Sequence, residues 1–83
     1  MGASKTLRRV LSGTADAAIR FDELCHLLAS MGFEERVRGS HHVFRRLGVP
    51  EMINLQRDGA QAKAYQVKQV RAVILKAKLG DEE

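Results

Sequence analysis

The segment Arg36-Val37-Arg38-Gly39-Ser40-His41-His42-Val43-Phe44 constrains this chain more than any other. A Gly-Ser pair separates two strand-forming runs, and a two-residue loop of this kind closes a tight antiparallel hairpin. The turn delivers a histidine to the start of the second strand, with arginines on both sides of it. Histidine, with an unperturbed pKa of about 6.5, exchanges a proton near neutral pH. Arginine presents a rigid fork of donors matched to phosphate. Together the two residue types suggest proton-transfer chemistry on a phosphodiester.

The rest of the chain builds around that hairpin. Leu7, Val10 and Leu11 recur at helical spacing and predict a short helix over residues 4–11, with Ser4 as N-cap and Ser12-Gly13 as its end. Residues 14–20 read as a linker. A second helix takes Asp22 as N-cap, carries Leu24, Leu27, Leu28 and Met31 as one apolar stripe, and closes at Gly32. Strands follow over residues 33–38 and 41–47. Gly48-Val49-Pro50 is a second turn, residues 52–56 a third strand, and Arg57-Asp58-Gly59 another turn. Val67, Val70, Ile74 and Ala77 place a final helix over residues 65–78. The order is αα-βββ-α, an α+β fold with a three-stranded antiparallel sheet and helices on one face. It forms one domain over residues 1–83, with residues 1–18 as an N-terminal helical extension.

Strand alternation then sorts the side chains. A two-residue loop pairs odd positions of the first strand with even positions of the second, and successive residues face opposite ways. Phe33, Val37 and Phe44 share the apolar, helix-covered face, with Ile53 and Leu55 from the third strand. Arg36, Arg38, His41, Val43 and Arg45 share the open face with Asn54 and Gln56. A one-residue slip would reverse the assignment and bury His41.

Bulk properties exclude several classes. A chain of 83 residues buries only about 60% of its unfolded surface, so the core is thin. No apolar run approaches the roughly 20 residues of a membrane span. No apolar leader precedes the domain, and the one cysteine, Cys25, forms no internal disulfide. A reducing, cytoplasmic setting is expected. The net charge of +4 is unevenly spread. Residues 1–35 hold four Lys/Arg against five Asp/Glu, whereas residues 36–78 hold ten against two. Such a local excess attracts polyanions.

His41 is the candidate general acid or base toward a ribose 2′-hydroxyl or a departing 5′-oxygen, the alternative being a surface histidine that only hydrogen-bonds. Arg36, Arg38, Arg45, Lys63 and Lys68 are candidate phosphate ligands that position RNA without reading its sequence. Ser40 is a turn residue whose hydroxyl or amide can touch a phosphate. No acid is placed in sequence to orient the histidine, which argues against a Ser-His-Asp hydrolase. His42 faces the other way, as a part-buried residue at the sheet–helix edge. Tyr65 reads as an anchor of the last helix on the sheet rather than a stacking platform. No spacing among Cys25, His26, His41 and His42 matches a zinc pattern, so neither a metal nor another cofactor is expected.

These elements and residues resemble the HicA family of bacterial toxins, over residues 19–79. The marks are Phe21 and the Leu24 to Leu28 run leading to Met31-Gly32-Phe33, then Arg38-Gly39-Ser40-His41-His42-Val43-Phe44. They continue with Ile53-Asn54-Leu55-Gln56 and Ala62-Lys63-Ala64-Tyr65-Gln66-Val67-Lys68-Gln69-Val70-Arg71. The resemblance implies a fold like the double-stranded RNA-binding domain and a metal-independent endoribonuclease that cleaves mRNA without the ribosome. It implies a HicB-type antitoxin as partner, covering the active surface, and it assigns catalysis to the histidine after Gly-Ser, here His41. Many family members carry a second histidine after a proline in the third strand. Here that stretch is Ile53-Asn54-Leu55-Gln56, which leaves one histidine as both acid and base or requires Arg or Lys to stabilise charge. Lys63-Ala64-Tyr65 likewise stands where close relatives have Lys-Pro-Tyr. Two alternatives share the fold: a non-catalytic RNA- or DNA-binding module, and a protein-interaction domain whose basic face docks an acidic partner.

Overall fold

The computed structural model describes residues 2–57 and 59–79. Asp58 of the expected turn lies outside the described residues. The elements run α1 (Gly2–Ser12), a 3-10 turn (Asp16–Ala18), α2 (Phe21–Ser30), β1 (Glu34–Arg38), β2 (His41–Arg46), β3 (Val49–Gln56) and α3 (Ala64–Ala77). The strands form one antiparallel meander, β1-β2-β3, with β2 central. The α+β architecture is the one expected from the sequence.

Helix ends are set locally. Arg20, not Asp22, is the N-cap of α2. Asp22 and Glu23 instead lie in the first turn, where carboxylates suit the positive end of the helix. Glu23 Oε1 accepts a hydrogen bond from the Arg20 backbone N–H at 3.1 Å, the returning half of a capping box. The other end is a Schellman closure. Phe33 N–H donates to Leu28 O and Gly32 N–H to Ala29 O, each at 3.1 Å, with Gly32 at φ +89°.

The expected linker over residues 14–20 is stapled rather than free. Arg71 donates to both Asp16 carboxylate oxygens, at 2.9 and 3.1 Å, and to Val10 O at 3.0 Å. These bonds tie α1, the 3-10 turn and α3 together. The Arg71 hydrogen bond is the main reason the Asp16 carboxyl is held below its ordinary range.

The hairpin register pairs Arg38 with His41 and Val37 with His42. Gly39 at φ +60°, followed by a residue with negative φ, gives the sign pattern of a type II′ turn. The second connection differs from expectation. It is Leu47-Gly48 alone, and β3 already starts at Val49. Pro50 is tolerated because β3 is an edge strand and the β2–β3 register shifts between Phe44 and Arg46.

Phe44, Ile53 and Leu55 on the sheet, with Phe21, Leu24, Leu28, Val67, Val70 and Ile74 on the helices, form one buried core. Two apolar side chains depart from expectation. Val37 faces the helix side but is 54% exposed, because β1 lies at the margin of the helical cover, which meets it at Glu35 beside Cys25. Tyr65 is 60% exposed, so it does not anchor α3; its hydroxyl meets Gln66 Nε2 at 3.4 Å. No helix among the described residues is long and apolar enough to cross a membrane.

Candidate nucleic-acid interface

Because β2 pairs with β1 through Arg38↔His41 and with β3 through His41↔Gln56, His41 sits at one end of the central strand. Alternation puts it on the face away from the helices, where it is exposed. The same face carries Glu34, Arg36 and Arg38 from β1, Val43 and Arg45 from β2, and Asn54 and Gln56 from β3. Glu34, Arg36, Arg38, Val43, Arg45 and Met52 line one shallow depression there. Arg36, Arg38 and Arg45 are thus brought together on the face that carries His41, with Arg38 as its register partner and Arg45 four residues along β2, and no ion pair among the described residues neutralises them. Ser40 stands at the turn. Its carbonyl accepts a hydrogen bond from the Arg57 N–H at 2.9 Å, which ties the end of β3 to the residue preceding His41.

Lys63 and Lys68 are not brought to this face. Lys63 is the N-cap of α3, and Lys68 lies on the exposed side of α3, close enough to Asp16 to act on its carboxyl. Both belong to the helical layer, across the sheet from His41. In the sequence they join the arginines by charge alone, and charge carries no information about layer.

Arg57, which the sequence pattern does not mark, also borders the His41 end of the sheet. Its guanidinium pairs with Asp22 and stacks over the Phe21 ring, 4.6 Å from the centroid. The one signal for it was position: it directly follows Gln56, the register partner of His41.

The helix side of the hairpin holds a second cluster. His42 Nδ1 lies 2.5 Å from Glu35 Oε2, a diagonal pair across β1 and β2. Its ring meets Phe21 edge-to-face at 4.9 Å, matching the expected part-buried position. Cys25 approaches from α2, so that one donor atom each of Cys25, Glu35 and His42 lies within 4.8 Å of the others. Burial first, and the Glu35 and Asp22 carboxylates next, push the Cys25 thiol up to about 12. This grouping runs against the sequence expectation. Linear spacing shows neither the diagonal pairing of Glu35 with His42 nor the seating of α2 over them.

No family model, curated protein or solved structure matches the chain.

Proposed function

We propose that the chain is a cytoplasmic endoribonuclease acting on mRNA, of the HicA type, held inactive by a HicB-type antitoxin that covers the open sheet face. The observation that carries this reading is His41, exposed at the end of the central strand and directly opposite Arg38. In the reaction, His41 takes the 2′-hydroxyl proton as the 2′-oxygen attacks phosphorus. The bond from phosphorus to the 5′-oxygen breaks, and the imidazolium returns the proton to that oxygen. The products are a 2′,3′-cyclic phosphate and a 5′-hydroxyl end. Positioned proton transfer of this kind is worth roughly 10²–10⁴-fold in rate. Arg38 and Arg45 hold the scissile phosphate and the charge that develops on it, and Arg36 continues the cationic surface.

A second reading, a binding module for RNA or DNA without catalysis, is favoured by one observation. The register neighbours of His41 are Arg38 and Gln56, and neither transfers protons near neutral pH. Incubating the protein with a structured mRNA, with and without EDTA and beside His41→Ala, decides between the two. Cleavage that survives EDTA and disappears in the variant supports the nuclease. Retained, salt-sensitive binding to intact RNA supports the module.

A further inference from the structure

We propose that Cys25, Glu35 and His42 form a zinc-binding site that bolts α2 to both strands of the hairpin. The three donors come from three elements: the thiol from α2, the carboxylate from β1 and the imidazole from β2. They already lie within 4.8 Å of one another. A tetrahedral zinc with bonds of about 2.0–2.3 Å sets its ligand atoms about 3.3–3.8 Å apart. The contact between His42 and Glu35, now 2.5 Å, opens by about 1 Å on that scale, and the Cys25 sulfur closes by a similar amount. Rotation of side chains is enough for both, because Glu35 is on the exposed strand with its side chain 36% accessible.

The donor set selects the metal class. Thiolate and imidazole together disfavour magnesium and calcium, which take oxygen, and suit a borderline-soft divalent ion such as zinc. One thiolate and one carboxylate neutralise the ion in a partly buried place; binding releases the thiol proton to solvent, and a neutral His42 ligates through Nδ1 as its Nε2–H tautomer. The fourth position opens toward solvent on the Glu35 side and takes water. The nearest other charges, Asp22 and Arg57, are paired with each other and cancel. The Phe21 ring covers the His42 side, limiting exchange with water there. The site is on the opposite side of the sheet from His41, so it stands or falls independently of the nuclease reading.

The experiment uses the full chain, reduced and stripped of metal, titrated with Zn²⁺ against a chromophoric chelator and with Co²⁺ as a spectroscopic probe. The expected result is one equivalent bound, with tetrahedral cobalt bands and a thiolate-to-cobalt charge-transfer band. At zinc about 100-fold above Kd, the melting temperature should rise by roughly 15 °C. Cys25→Ser, Glu35→Gln and His42→Ala should each weaken zinc by at least about tenfold, whereas His26→Ala, one residue from the thiol and exposed, should leave it unchanged. Far-UV circular dichroism checks that each variant folds. If His42→Ala does not fold, Glu35→Gln and the wild-type cobalt spectrum decide. Octahedral cobalt without a thiolate band, affinity unchanged in Glu35→Gln, or an equal loss in His26→Ala overturns the site.

Discussion

Arg38 and His41 face each other directly across the β1–β2 hairpin, with only Gly39 and Ser40 between them in the chain. The turn therefore fixes the distance between a guanidinium and an imidazole, the pair on which the proposed nuclease rests. Neither needs a partner from elsewhere in the fold to find the other.

Arg38→Gln tests the phosphate role without altering the core. An exposed substitution of this kind changes stability by no more than about 0.5 kcal/mol. Each phosphate contact to single-stranded RNA contributes about 0.7 to the slope of log affinity against log salt. The variant should bind RNA more weakly at low salt, across all sequences, with a slope shallower by that amount. An unchanged slope would mean Arg38 touches no phosphate.

Gly39→Ala isolates the turn. The position needs φ +60°, and a Cβ there meets nothing within 4 Å. The whole cost is therefore backbone strain, about 1–2 kcal/mol. Urea unfolding should register that loss with an unchanged m-value, and cleavage by the folded fraction should fall because His41 rides on the same turn.

Phe44→Ala removes the aromatic ring at the centre of the sheet's buried face. Phe44 is fully buried and pairs with Ile53 across β2–β3. Such a truncation costs about 3–5 kcal/mol, which approaches the whole stability of a small domain. The variant should show little cooperative melting above room temperature. A clean two-state transition within 1 kcal/mol of wild type, on the usual scale of core truncations, would contradict this core.

Acid sensitivity should trace in part to Asp16 and in part to Glu51, whose carboxyl is lowered by its Lys76 hydrogen bond. The Asp16 carboxyl is held below the ordinary 3.8, chiefly by the Arg71 hydrogen bond. A depressed folded-state pKa gives stability that is complete above the unfolded value and lost as pH falls through the folded one. The wild type should therefore lose stability below about pH 4, and Asp16→Asn should be less stable at neutral pH with a flatter acid limb. Urea midpoints between about pH 7 and pH 2 measure both.

Much of this architecture is written locally and was legible. The Gly39-Ser40 turn, the stripe from Leu24 to Met31 and the run from Val67 to Ile74 each carry their own period. Parity across a two-residue loop then places His41 on the open face. What was not legible depends on contacts distant in sequence. Arg71 reaches Asp16 across 55 residues, so residues 14–20 read as a plain linker. Val37 obeys alternation and still lies exposed, since helical cover is a matter of tertiary placement rather than parity. Pro50 reads as a turn residue until β3 is known to be an edge. Lys63 and Lys68 could be joined to the arginines only by ignoring which side of the sheet α3 takes.

The exposure of β1 on both faces divides labour within the hairpin. β1 is an edge strand, paired on one side only, so local opening reaches it before the central strand. The histidine stands on β2, the central strand of the sheet, while Arg36 and Arg38 stand on an edge strand. On the proposed reading, a histidine on the central strand, faced by arginines on the edge strand, keeps its aim while they accommodate RNA backbones of different curvature.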